Sequence, residues 1–515
     1  MTDRLIASLM ASIACLLGGC TPLLPYRTEP PPATSGGPFA DRNLEVCSLS
    51  DKAGEQTVSG RVDAACARRI REDSDKYRLY FSEYDDQGWA FPAGEKYGSA
   101  AKQATIFSKD LQSLLKNPAE RVSVVVFVHG WKHGASTDDG NVRSFRRLLS
   151  DLAEVEELSE TKCRRRVVGV YVGWRGAAST LGFLENLSFW NRKEAAQRVA
   201  LGDVRMLFSE LREIQDAANV KWNASLEASL KVSSPSGEQS QLNPCDKRMK
   251  LSIAGHSFGG LIVYTSIAQS LIRDIVALRF DETLQSSVPA TDRVRPILQR
   301  EGDLVVVINP AIEATRFHPL FRAVSEAQLP HYHTPIFVSI TSDGDQATKR
   351  AFPIGRWFST RFDKYPEDRW ESEEAANLYT VGHADEFITH DLSVLNSASV
   401  PQNSPCRDWI ADQPFSIRLA VEQRNLDSFR RRLADQGYDA TNVLSRQFCG
   451  LETMSLTARP SMKTWAGNSP VWNVATSPPI VKDHNDFENP LLLEVLRQLY
   501  MEAEDRSLVR LRTSK

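Results

Sequence analysis

Short segments rich in β-branched and aromatic residues recur along the chain: Tyr77 to Tyr84, Val122 to Val128, Val167 to Val172, Leu251 to Ala254, Leu304 to Ile308 and Ile336 to Ile340. They are too short for ordinary helices, and several are unbroken by polar residues, which predicts strands buried on both faces of a parallel sheet. A turn at Asp85-Asp86-Gln87-Gly88 closes the first. Between the second and third, Val142, Phe145, Leu148, Leu149 and Leu152 fall at helical spacing, as the crossover between parallel neighbours requires. The C-terminal part adds an apolar and polar stretch, Val471 to Val481. A helix then opens at Asn489-Pro490, a cap followed by proline at its first position, and continues from Leu491 to Tyr500. The pattern predicts an α/β fold with a mostly parallel central sheet.

Two stretches do not fit a minimal sheet and read as insertions, at about 176–245 and 346–468. The first carries Leu181, Phe183, Leu184, Leu187, Phe189 and Trp190 just after a strand, where the active-site loops of such sheets project. It reads equally as a cap over a pocket and as a helix packed on the body. The second carries Trp357, Trp370 and Trp409 and has the size of a small subdomain.

Composition bounds the function classes. With 515 residues, 42% hydrophobic and 25% charged, the chain has the balance of a globular protein large enough for a deep site. Its formal net charge of -3 offers no basic field for nucleic acid, and clusters such as Arg164-Arg165-Arg166 and Arg430-Arg431-Arg432 read as solvated surface. Residues 1–19 read as a signal peptide: Arg4 precedes an apolar run from Leu5 to Leu17, shorter than the roughly 20 residues of a membrane span. Residues 20–45 contain six prolines with Gly36-Gly37 and predict an extended tether that leaves the remaining domain, 46–515, free to reorient. Cys47, Cys66, Cys163, Cys245, Cys406 and Cys449 form an even set for an exported protein. Cys47 with Cys66 and Cys406 with Cys449 are the favoured short-range pairs.

The segment Leu17-Gly18-Gly19-Cys20 resembles the lipobox of bacterial lipoproteins. The resemblance implies a lipidated Cys20 and a place in the cell envelope. Thr21 after that cysteine implies the outer membrane, on its periplasmic side.

The chemistry concentrates in Gly255-His256-Ser257-Phe258-Gly259-Gly260, set between a strand and the apolar helix Leu261 to Leu271. A turn that tight needs small neighbours beside the serine, here Gly255 and Gly259. The helix that follows offers its N-terminal dipole and the N–H of Phe258 to an oxyanion. Upstream, Val122 to Val128 runs into His129-Gly130-Trp131. On these residues, over roughly 77–345 and 468–502, the chain resembles the α/β-hydrolases of the lipase and esterase type. The resemblance implies that fold, with helices on both faces of the sheet, a second oxyanion donor at the N–H of Trp131, and a triad in the order Ser, acid, His. The acid then follows the strand Ile336 to Ile340, as Asp345 in preference to Asp343, with Gly344 as the turn between them. The base is His484, on a loop before the terminal helix; His383 and His390 are its rivals inside the insertion. His129 and His133 lack the helical H-E-x-x-H spacing of a metal pair, so no metal or other cofactor is implied. The expected activity is cleavage of carboxylic esters through an acyl-enzyme, with acyl transfer to an alcohol using the same residues. The contrasting reading is a lipid-anchored scaffold that keeps the fold without catalysis. The oligomeric state is not legible.

Overall fold

Every residue of Val122–Val128 is buried, as a strand covered on both faces requires. Its side chains divide between two layers. Val124 and Val126 pack with Phe107, Leu207, Ile262 and Phe317 on one face, whereas Val125 and Phe127 pack with Phe145, Leu149 and Tyr500 on the other. The computed structural model describes residues 24–30, 67–94, 101–158, 163–177, 189–230, 243–284, 302–327, 334–364, 370–436, 446–459 and 469–503. The predicted signal peptide, Cys20, Cys47, Cys66 and Leu181 to Leu187 lie outside them.

The strands are β1 (Arg71–Asp73), β2 (Tyr77–Tyr84), β3 (Val122–Val128), β4 (Arg166–Trp174), β5 (Met249–His256), β6 (Leu304–Ile308), β7 (Phe337–Ser342), β8 (His390–Val394), β9 (Arg446–Phe448), β10 (Met454–Ala458) and β11 (Val471–Thr476). Among the described residues they form one eleven-stranded sheet in the order β1-β2-β4-β3-β5-β6-β7-β11-β8-β10-β9. From β2 through β8 all neighbours are parallel; β1 and β10 run against theirs. The C-terminal ends of β2 to β7 and β11 therefore share one edge, and loops converge there.

Helices cover both faces. Helix α1 (Gln103–Leu115), α3 (Phe189–Leu201), α4 (Val204–Ala218), α6 (Phe258–Leu284) and α7 (Ala314–Glu326) contribute to one core, with α5 (Val220–Leu230) beside α4. Helix α2 (Gly140–Leu158) and α11 (Pro490–Ala503) cover the other face. Two shorter helices, α8 (Phe352–Thr360) and α9 (Trp370–Leu378), follow β7, and α10 (Phe415–Gln436) packs on α11. As the sequence predicts, Asn489 caps α11, its Oδ1 accepting the Leu491 N–H at 3.0 Å. Among the described residues no helix is long and apolar enough to cross a membrane.

Both insertions join the body. In the first, Ala195, Ala196, Val199 and Ala200 of α3 are fully buried in the main core, so this part is packed scaffold and not a detached cap. The second adds β8, β9 and β10 to the same sheet, which corrects the expectation of a subdomain. The Cys406–Cys449 disulfide forms as favoured, and Cys163 pairs with Cys245 across 82 residues, a pairing that spacing did not reveal.

The proline-rich tether also needs correction over its described part. Arg27 is fully buried. Its guanidinium pairs with Glu72 at 2.8 Å, donates to the Ala135 carbonyl at 2.9 Å and lies 3.7 Å over the Phe81 ring. The N–H groups of Tyr26 and Arg27 donate to Glu83, and Gln103 donates to the Arg27 carbonyl at 2.7 Å. Breaking one partner out of such a buried charge pair typically costs about 3–5 kcal/mol, so residues 24–30 are a docked strap. Composition indicated an extended chain but not the one cation that pins it.

Candidate active site

Ser257 ends β5 at the head of α6 with φ +56, in the left-handed region that an L-residue enters only at a cost of about 1–3 kcal/mol. The turn is held from outside. The Ser257 N–H donates to the Ile308 carbonyl at 3.0 Å, and the Ala311 N–H donates to the Ser257 carbonyl at 3.3 Å. Its glycine neighbours serve close approach: a Cβ on Gly259 would stand 2.0 Å from the Val128 carbonyl oxygen, and one on Gly255 would meet the Gly259 oxygen at 2.7 Å. Ser257 is nearly buried, and its hydroxyl meets His484 Nε2 at 2.8 Å.

His484 sits on the loop between β11 and α11, with Nδ1 2.8 Å from Asp345 Oδ2. A carboxylate only accepts, so Nδ1 carries the proton and Nε2 presents its lone pair to the serine hydroxyl. Asp345 is fully buried and takes further hydrogen bonds from the Ala347 and Thr348 N–H groups and from the Thr348 hydroxyl. Burial alone would raise its pKa, but the hydrogen bond and charge of His484, with the Thr348 donors, outweigh it and hold the carboxyl below its usual range. Asp343 does not reach the imidazole. Its N–H bonds to the Thr476 carbonyl at 3.0 Å, and it lines a separate cavity of about 550 Å³ with Lys349, Tyr379 and His383. Through these backbone N–H groups Asp345 also caps the helical segment that follows. Gly344 permits the acid loop to touch the base loop, since a Cβ there would stand 2.3 Å from the Lys482 carbonyl oxygen.

The rival histidines stand elsewhere. His383 Nε2 is 3.0 Å from Thr348 Oγ1, one link behind the acid. His390 is buried in β8 beside the Thr389 hydroxyl.

The other predicted residues frame the serine. His129 is buried with Nδ1 2.9 Å from the Gly130 carbonyl and Nε2 accepting the Trp174 N–H at 3.0 Å. Burial pushes its pKa down to about 4, so it shapes the loop as neutral imidazole. Gly130 brings that loop against the elbow, where a Cβ would stand 2.9 Å from Ser257 Cβ. Trp131 lies edge-on to Phe189, which packs on Phe258, the fully buried residue after the serine. The Phe258 N–H, in the first turn of α6, has no intrahelical acceptor.

Two residues brace the base loop, and sequence reasoning assigned neither that role. His256 Nε2 donates to the His484 carbonyl at 2.7 Å. Asn309, one residue past β6, has φ +45 and spans two loops: its Nδ2 donates to the Asp483 and His484 carbonyls at 3.2 and 3.0 Å, while its Oδ1 accepts the Ser342 N–H at 2.9 Å. An asparagine directly after a buried strand was the available signal, since Asn tolerates left-handed backbone. Comparison with known proteins finds no matching family model, no matching curated protein and no matching solved structure.

Proposed function

We propose that the chain is a serine hydrolase of the α/β-hydrolase type that cleaves carboxylic esters, exported and anchored to the bacterial cell envelope through lipid on Cys20. The observation that carries the catalytic reading is the unbroken Asp345–His484–Ser257 hydrogen-bond chain, 2.8 Å at each link, on a left-handed elbow at a helix N-terminus. In this reading His484 takes the Ser257 proton as Oγ attacks the carbonyl carbon. The oxyanion is held by the N–H groups of Phe258 and Trp131, one such donor contributing about 3 kcal/mol. His484 then protonates the leaving alcohol, and a water repeats the sequence to release the acid. Asp345 keeps the Nδ1–H tautomer and stabilises the imidazolium. The partly buried rings of Trp131 and Phe189 offer apolar surface that suits an acyl group.

The test is labelling of the purified protein by a fluorophosphonate probe, followed by turnover of an ester panel of graded acyl length. Labelling is expected in the native chain and absent in Ser257→Ala. A well-folded native chain that does not label overturns the reading and favours the scaffold.

A further inference from the structure

The docked strap and the catalytic loops meet at one place. Tyr26 and Arg27 are held by Glu83, at the end of β2, and by Ala135, in the loop that follows β3. Tyr26 also lies against Gly134, where a Cβ would meet its ring at 3.0 Å. Both partners belong to the C-terminal edge of the parallel strands, the edge that carries Ser257, Asp345 and His484. Leu24 is only four residues after Cys20, a reach of at most about 14 Å even for extended chain. Whatever Cys20 carries is thereby kept within that reach of Leu24.

That edge is also where large aromatic side chains face water. Trp89 is 66% exposed, Trp357 49% and Phe362 80%, and Tyr26 and Leu24, held at the end of β2, are exposed too. The segments that bear them are joined. Asp86, in the turn before Trp89, holds Arg192 of α3 at 2.9 Å. Trp190 of the same helix packs on Phe352 and against Gly355 of α8, which leads to Trp357 and Phe362. Burying such aromatic surface at a membrane interface is favourable, because their rings suit the boundary between headgroups and acyl chains.

We propose that this C-terminal edge, from Tyr26 through Trp89 to Trp357 and Phe362, is the face that docks on a lipid bilayer, with the mouth of the Ser257 site turned toward it by the short link from Cys20. The inference rests on the reading of Cys20 as lipidated. It adds an orientation that lipidation alone does not give, because a free tether would present every face of the domain equally. Substrate would then reach the serine from the bilayer and not from bulk water.

The test uses the full chain, expressed with its own N-terminal segment and reconstituted in vesicles of phosphatidylethanolamine and phosphatidylglycerol. Mass spectrometry reads Cys20, and hydrogen exchange reads the surface. Acylated protein is expected to gain protection in 85–92, 129–136 and 352–364 on vesicle binding. An unmodified Cys20 overturns the anchor and this inference together. Acylated, bound protein with no gain there, or with gain at the opposite edge in 117–121 and 243–248, overturns the orientation alone. The same gain in concentrated protein without vesicles assigns the face to a second copy and also overturns it. These readouts do not depend on catalysis.

A flexible spacer inserted after Thr21 is the second arm, since loosening a tether lowers the effective concentration of the site at the membrane. Turnover of an ester dissolved in the vesicles should fall at least about fivefold, with a water-soluble ester unaffected. Trp89→Ser combined with Phe362→Ser should reproduce that split. Equal turnover of the vesicle ester in both variants overturns the proposal.

Discussion

At the residue scale the decisive contrast is between two aspartates two positions apart. Asp345 and Asp343 follow the same strand, yet only Asp345 is fully buried against the imidazole. The family resemblance separated them, because it implies an acid set a little beyond the strand after a small-residue turn, here Gly344. Asp345→Asn keeps the volume but places an amide where only an acceptor holds the Nδ1–H tautomer. We expect it to lower kcat by about 10³- to 10⁴-fold, and Asp343→Asn to cost less than tenfold. Steady-state kinetics on two correctly folded variants reads this directly, and the opposite ranking would move the acid to Asp343. Ser257→Ala should remove probe labelling and turnover while leaving the thermal midpoint within about 2–3 °C of the native value, because alanine keeps the elbow's contacts and loses one partly buried hydrogen bond.

At the scale of elements, the core strands were legible because burial on both faces imposes an apolar run. Val122–Val128 and Leu304–Ile308 have the predicted bounds. The strands β8, β9 and β10 were not legible. His390–Val394 reads HDLSV and Met454–Ala458 reads MSLTA, short and polar on one side because they lie toward an edge of the sheet where one face meets solvent. The Arg27 strap was hidden for a related reason: its docking depends on Glu72, Glu83 and Gln103, which no local pattern connects to it. The brace at Asn309 joins three elements through one side chain, so it too appears only in three dimensions. Asn309→Asp retains the acceptor for the Ser342 N–H but loses the donor to the His484 carbonyl and sets an anion beside it. The expected result is a fall in kcat of about 10- to 100-fold with KM nearly unchanged, since positioning of the base acts on the transition state more than on substrate binding. A change in KM alone would make Asn309 part of the substrate pocket instead.

For the whole molecule, the pH dependence of stability follows from groups that folding buries. His129 has its pKa pushed down to about 4 by burial, and His256 and His390 to about 3, against a usual value near 6.5. Between about pH 4.5 and 6.5 the unfolded chain therefore binds protons at these histidines that the native one refuses, and His383, also lowered by burial, adds in the same sense. Glu83 and Glu494 act in the opposite sense: burial raises both to about 7, so the native chain holds two protons that the unfolded chain has lost above about pH 4.5. The histidines outweigh the carboxyls in that window, so the unfolded chain binds more protons and stability rises with pH. Below about pH 4.5 the two carboxyls are protonated in both states and cancel, while Asp345, Asp139 and Glu313, held low in the native chain, act with the histidines, so stability falls more steeply with falling pH. From about 6.5 to 7 the histidines are neutral in both states, and the two carboxyls make stability fall as pH rises. Urea unfolding at closely spaced pH values should thus show a maximum near pH 6.5, a gentle decline on the acid side and a sharp break near 4.5. His390 separates this from general charge repulsion, because its shift comes from burial alone. In His390→Gln the slope below the break should become shallower by one proton, about 1.4 kcal/mol per pH unit; an unchanged slope would mean that His390 is not the neutral, buried group its place in β8 implies.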